Sequence, residues 1–437
     1  MIQNISHVRW LLVFWLFVLS AVAFLDRVNI SIAGSSIATD YGLTNSQLGY
    51  VFSSFLLGYA LFQTAGGWLS DKLGPRRVLT VGVVWWGIFT ALTAVVPSQL
   101  RGALLFFVAI RFLLGTGEAV IYPASNQFVS WWIPTQERGI ANGIIFAGVG
   151  VGAGITPPAI SYAMIHYGWR SSFWMSAVIG LAAGLVWLLI ARDKPEDHPS
   201  VTPAELHFIQ SGRTLSSNQS LPSLTTPLQL NPANSLPWST ILQSKNVWAV
   251  TFSYFCYGYV AWIFFSWFYI YLAKVRGLNL KASAFYATLP FLAMAVCCPL
   301  GGAIADRVTL WRGKRAGRCG IAVLAMAMTA VFLLLGSRVA SARLASVVLA
   351  GGAGALYLSQ SSFWSVTADI GAASSGSVSG FMNMGAQLGG AVTASLTPAV
   401  AAHYGWTASF YVAAVLAALG AAAWLAVNPD RSLAATQ

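Results

Sequence analysis

Charge is what this chain lacks. Of 437 residues only 12 are Asp or Glu and 24 are Lys or Arg, so 8% are charged while 57% are hydrophobic. The mean hydropathy is +0.68. No soluble domain of this length could cover its surface with so few polar groups, and the chain is expected to lie in a lipid bilayer. Cysteine is also scarce. Cys256, Cys297, Cys298 and Cys319 fall in or beside apolar runs without metal-ligand spacing, and they read as small packing residues. Neither a metal site nor a cofactor is expected. No histidine lies mid-span beside an acidic residue, which argues against an embedded enzyme. The first apolar run begins near Trp10 without a basic leader and carries Asp26-Arg27, so it reads as a retained helix rather than a signal peptide.

What is present is apolar sequence in lengths that match a membrane. A spanning helix needs about 20 such residues. Runs of that kind recur near 10–33, 47–69, 77–96, 102–124, 139–163 and 172–192, then near 247–272, 283–304, 318–338, 343–365, 376–399 and 407–428. The expected fold is an all-α membrane protein of twelve transmembrane helices in two six-helix halves. The 41 glycines suit such a bundle, because small residues let helices approach closely. The net charge of +12 is distributed as a topology signal rather than as a nucleic-acid patch. With both termini in the cytoplasm, 15 basic residues fall on the cytoplasmic side, 7 outside and 2, Arg27 and Arg111, within spans. That is the positive-inside bias.

These features divide the chain into a first half at 1–192, a cytoplasmic linker at 193–245 and a second half at 246–437. From Asp193-Lys-Pro-Glu-Asp-His-Pro199 to about Pro237 the sequence is rich in Ser, Pro, Asn, Gln and Thr, and is expected to be flexible over most of its length. The halves repeat one another. His166-Tyr-Gly-Trp-Arg-Ser-Ser-Phe173 recurs as His403-Tyr-Gly-Trp-Thr-Ala-Ser-Phe410, an offset of 237. Gly66-Gly-Trp-Leu-Ser-Asp71 recurs as Gly301-Gly-Ala-Ile-Ala-Asp306, an offset of 235. Parallel repeats of this kind place one binding site at the membrane midplane between halves.

Charges inside the membrane stand out against this background. In Arg111-Phe-Leu-Leu-Gly-Thr-Gly-Glu118 a separation of seven puts both side chains on nearly one helix face, roughly 10 Å apart along the axis. An ionisable group at that depth costs at least about 2.5–3.5 kcal/mol, so it normally faces a bundle interior or a wet cavity. Asp26 and Arg27 are a second such pair. As neighbours they diverge by about 100°, so one is expected to face the cavity and the other a partner helix. Applied to span 4, the offset of 237 maps Arg111 onto Val348 and Glu118 onto Ala355, so these charges belong to the first half alone. Tyr59 and Gln63, four apart in span 2, share one face and suit a polar solute. The second half offers neutral groups: Ser361, Ser362 and Trp364 in span 10, and Asn383 with Gln387, one turn apart, in span 11. In the turn after span 2, Asp71 is placed to cap the following helix or to accept a bond from a nearby arginine.

The segment Gly67-x-x-x-Asp71-Lys-x-Gly74-x-Arg76-Arg77, its echo at 302–307 and the two-half pattern resemble the major facilitator superfamily. Leu25-Asp-Arg-Val-Asn-Ile-Ser31, Gly58-Tyr-Ala-Leu-Phe-Gln63, Arg111-x6-Glu118, Tyr-Gly-Trp-Arg170 and the tail Asp193-x-Pro-Glu-x-His-Pro199 are similar to its anion:cation symporter branch. That branch includes bacterial proton symporters for galactonate, glucarate and hexuronates. The resemblance implies proton-binding carboxylates at Asp26 and Glu118, with Arg27 and Arg111 as their partners or as substrate anchors. It implies a cavity-facing Tyr59, less closely matched second-half positions at Ser361, Trp364 and Asn383, and conformational gating by Asp71, Arg76, Arg77 and Asp306. The expectation is a monomeric importer of a small organic anion and protons, embedded in the lipid bilayer of a bacterial inner membrane, with no nucleic-acid partner. The alternative is an antiporter or exporter of a drug or metabolite. The chain departs from the branch at Phe24, where sugar-acid members commonly carry tyrosine, and an anion with fewer hydroxyls or an aromatic body remains open.

Overall fold

The computed structural model describes residues 6–97, 102–214 and 236–433. Long apolar runs with no water to satisfy their backbone have only the helix open to them. Among the described residues there are twelve spanning helices and no strand. The first half is built from α1 (Val8–Tyr41), α2 (Asn45–Leu73), α3 (Pro75–Val95), α4 (Ala103–Trp132), α5 (Arg138–Tyr167) and α6 (Trp169–Ile190). The second comprises α7 (Lys245–Ser266), α8 (Leu280–Arg312), α9 (Arg315–Arg338), α10 (342–371), α11 (Ser375–Tyr404) and α12 (Trp406–Ala423). Helix α4 loosens at 119–120, just after Glu118, and α10 loosens at Ser359. The apolar stretch Ala342–Tyr404 is divided into two spans at Ala372, which has φ 47°.

The internal repeat is visible in the turns. Gly74 and Gly313 end α2 and α8 with φ of 88° and 83°, and Gly168 and Gly405 end α5 and α11 with φ of 79° and 82°. An L-residue with a Cβ is strained at these angles, so glycine stops each helix and lets the chain reverse. Arg9 at the start of α1 reaches the loop between α4 and α5, and Asn246 at the start of α7 bonds Asn428 beyond α12. Both ends of the described chain therefore lie on one face of the bundle, with the α2–α3 and α8–α9 turns.

Part of the segment 193–245 departs from the expected flexible linker. Residues 203–214 form a helix whose Glu205 is fully buried. Its carboxylate accepts from Ser6 Oγ at 2.5 Å and from Arg9 Nη1 at 2.9 Å, while Arg9 Nε pairs with Glu137 at 2.9 Å. The partners are nearly two hundred residues away in sequence, which is why no local pattern announced this helix. Asp193 also has a fixed task, accepting the N–H of Arg76 at 2.8 Å to cap α3. Burial pushes its carboxyl above the ordinary range, opposed by that hydrogen bond and by the charges of Arg76 and Arg77. Residues 215–235 of the proposed flexible stretch lie outside the described residues.

The halves meet along two seams, α5 against α8 and α2 against α11, where backbones touch directly. A Cβ on Gly67 would lie 2.0 Å from the Gly376 carbonyl oxygen, and one on Gly302 would lie 2.1 Å from that of Gly139. Only glycine permits such contact.

Candidate functional site

On the face that carries the chain ends, the halves are latched by side chains that cap helices of the opposite half. Asp71, at the end of α2, accepts the backbone N–H of Gly376 and Ser377 at 2.8 and 2.7 Å, the first turn of α11. Asp306, at the end of α8, accepts those of Gly139 and Ile140 at 2.9 and 2.7 Å, the first turn of α5. Helix N-termini attract carboxylates through their unpaired N–H groups and dipole. Asp71 therefore caps α11 of the other half, not the adjacent α3, and no arginine pairs with it among the described residues. The α5–α8 edge adds an ion pair across the halves, Arg138 to Asp369 at 2.6 Å, and a hydrogen bond across them from Arg318 Nη2 to the Thr135 carbonyl at 2.7 Å, with Arg318 Nη1 paired to Asp306 at 2.5 Å within the second half. The α2–α11 edge adds neutral bonds, with Gln127 accepting from Ser375 and donating to the Ala373 carbonyl at 3.1 Å. Of the four gating residues expected from sequence, Asp71 and Asp306 cross between halves. Arg76 bonds the Leu188 carbonyl within its own half, and Arg77 is exposed.

Toward the other face the halves part around a cavity of about 380 Å³. From α1 and α4 come Arg27 and Arg111, from α2 Tyr59, and from α11 Asn383 and Gln387. Arg27 donates Nε to Glu118 Oε2 at 2.7 Å and lies 4.1 Å from the centre of the Tyr59 ring. Arg111 is only 2% exposed and stands 4.8 Å from the Phe55 ring, yet its Nε and Nη1 have no hydrogen-bond partner. The one-per-100° rule holds for the neighbouring pair: Arg27 faces the cavity, whereas Asp26 is turned inward beside Thr90 of α3, within electrostatic reach of Glu118 and Arg111 but in no ion pair. Neither snorkels to water.

The remaining expected residues divide between wall and support. Gln63 is fully buried behind the wall, and its Oε1 accepts from Asn383 Nδ2 at 2.5 Å, joining α2 to α11. Ser361 donates to the Cys298 carbonyl at 2.9 Å, and Trp364 donates Nε1 to Tyr254 OH at 3.1 Å. Both lie behind the cavity lining. Phe24 does line the cavity, and its ring meets Phe265 of α7 at 5.9 Å rather than packing only within its own half. Sequence reasoning missed Tyr122, Tyr254, Tyr257, Tyr357 and Gln360, all of which line the cavity. The spacing of Tyr357 and Gln360, three apart in span 10, was the one signal available.

Twelve spans in two repeated halves, latched at one face and parted around a charged cavity at the other, define a multi-pass membrane transporter rather than an enzyme. Residues 16–394 match the model of the Major Facilitator Superfamily, and the chain belongs to that family. It is 34% identical over 410 residues to a probable sulfoacetate transporter of Cupriavidus necator, covering 93% of this chain and 91% of that one. It is 30% identical to a probable galactarate/D-glucarate transporter of Escherichia coli, over 74% of this chain and 70% of the other. Among solved structures it resembles the proton:xylose symporter XylE, with a TM-score of 0.74 at 16% identity, covering 99% of this chain and 100% of that one. At that identity the likeness concerns the fold.

Proposed function

We propose that the protein imports a small organic anion together with protons by alternating access. The observation that carries this reading is Arg111, a buried guanidinium on the cavity wall with two unpaired donor atoms. A planar fork of N–H groups suits a carboxylate or sulfonate, and a guanidinium kept at membrane depth with donor atoms in no ion pair suits a ligand of opposite sign. The relatives named for sulfoacetate and for galactarate or glucarate transport support an anionic substrate.

Charge count supplies the coupling. Arg27 with Glu118, and Arg111 with nearby Asp26, leave the region neutral when all four are ionised. An entering monoanion adds one negative charge in a low-dielectric setting, and a proton on Asp26 or Glu118 cancels it. Protonating Glu118 also releases Arg27 from its ion pair, so the second guanidinium can turn toward substrate. The basic-residue bias supports an orientation with the latched face and both termini in the cytoplasm. In that orientation the described conformation opens outward, and the cavity is placed to load from outside a bacterial inner membrane. The test is uptake by reconstituted vesicles under an imposed inward proton gradient. Accumulation of an organic anion that collapses with a protonophore supports the reading, and accumulation insensitive to the proton gradient overturns the coupling.

A further inference from the structure

We propose that the cavity is shaped for a monoanion with a flat, largely apolar body and one uncharged hydroxyl-like group at its far end. This rests on the anion-transport reading and narrows it.

Three observations converge. First, of the two guanidiniums that line the cavity, Arg111 is the one without an ion pair among the described residues. Arg27 is held by Glu118 through Nε at 2.7 Å and of its buried atoms has only Nη2 unpaired, whereas Arg111 keeps Nε and Nη1 unpaired, so a second negative charge on the ligand would have to compete with Glu118 for Arg27. Second, the wall facing Arg111 across the halves is aromatic. Phe265 stands 5.9 Å from Phe24 and 5.7 Å from Trp262 between ring centres, and Tyr257 lines the same side. Rings at these separations accept a planar body by offset or edge-on contact. A chain of hydroxyls laid against the faces of Phe24, Phe265 and Trp262 would lose water to carbon surfaces.

Third, two buried polar atoms on the second-half wall are unspent. Tyr357 is 0% exposed and Gln360 2%, both line the cavity, and Tyr357 OH and Gln360 Oε1 have no hydrogen-bond partner. Buried polar atoms are paired in the great majority of cases, so each exception asks for an explanation. The neighbouring groups are already engaged. Gln360 Nε2 and Trp364 Nε1 both donate to Tyr254 OH, Tyr122 OH bonds Ser20, and Asn383 Nδ2 donates to Gln63. On this wall the unpaired atoms that are fully buried are thus one O–H donor, Tyr357 OH, and one carbonyl acceptor, Gln360 Oε1, the complement of a single hydroxyl. Anion anchor and hydroxyl receptor belong to opposite halves, so a ligand spanning them joins the two bodies that must move together.

Binding to the purified full-length protein is measured calorimetrically with four probes: benzoate, 4-hydroxybenzoate, the dianion terephthalate and the polyhydroxylated dianion D-glucarate. The expected order places 4-hydroxybenzoate about five- to tenfold tighter than benzoate, as one well-placed hydrogen bond allows. Both dianions bind more weakly than 4-hydroxybenzoate. In Tyr357→Phe the preference for the hydroxylated probe falls to about twofold or less; Gln360→Met tests the same receptor if that variant does not fold. Tighter binding of either dianion, no hydroxyl preference in the parent, or an undiminished preference in both variants overturns the inference. D-glucarate bound most tightly, with proton-driven uptake, would sink the selectivity and leave anion transport standing. Failure of all four probes and of sulfoacetate to bind would remove both.

Discussion

Arg27 and Glu118 are 91 positions apart in sequence and 2.7 Å apart across the α1–α4 contact, and this pair decides whether the cavity presents one guanidinium or two. Replacing Glu118 by Gln keeps the shape and removes the charge that a proton would otherwise cancel. Glu118→Gln should retain exchange of substrate across reconstituted membranes but lose accumulation against a gradient. Concentrative uptake at the parental level would dismiss the proton role of this carboxylate.

Arg111→Lys keeps the charge and loses the planar fork. Bidentate recognition predicts an apparent half-saturation raised about tenfold or more, since an ammonium grips a carboxylate through a single point charge. The comparison to make is initial uptake rate against anion concentration in both proteins, and equal affinities would argue against two-pronged binding.

Asp71 holds α11 through two backbone N–H groups. Asp71→Ala should loosen the latched face without touching the cavity. A cysteine introduced at Ser130, 3% exposed and bonded to Ser375 on that face, reports the change. Its labelling by a bulky maleimide should rise several-fold in the Asp71→Ala background, and an unaltered rate would mean that the contact does not fasten the halves.

Gly67→Val tests the seam itself. A Cβ there would lie 2.0 Å from the Gly376 carbonyl oxygen, a backbone atom that cannot step aside. The variant should reach the membrane folded yet hold the latched face open and stop transport. Parental turnover would show that α2 and α11 need not close so tightly.

Glu205→Ala leaves Arg9 without one of its two carboxylates in a buried setting. Breaking a buried pair in this way typically costs about 3–5 kcal/mol. A lower melting temperature in detergent, with labelling of the cysteine at position 130 unchanged, is the expected outcome. No thermal shift would relegate the 203–214 helix to a loose attachment.

The twelve spans were legible because hydrocarbon thickness sets their length, and Arg27, Arg111, Asp26 and Glu118 were legible because charge is so rare here. Helix ends were less so. Capping rules read the nearest helix, but Asp71 accepts from Gly376, 305 positions later, in the first turn of α11. Nothing in the local sequence around Glu205 reveals Arg9. Tyr357 and Gln360 escaped notice for a different reason: in a chain with 15 tyrosines their significance lies in a hydroxyl and a carbonyl oxygen, Tyr357 OH and Gln360 Oε1, without hydrogen-bond partners, which only coordinates disclose. Conversely Ser361 and Trp364 looked like wall residues, and their hydrogen bonds to Cys298 and Tyr254 hold them behind it.

The latched face also carries an order of events. Its α5–α8 edge is fastened by Arg138 on Asp369 and by Arg318 on the Thr135 carbonyl, whereas its α2–α11 edge holds through Asp71, Gln127 and backbone amides with no cation among the described residues. A repeat that began as two equal halves has become a door with a hinge side and a handle side. The α2–α11 edge should part first, the charged edge should serve as the pivot, and the first path through the latched face should run past Gly376 rather than past Gly139.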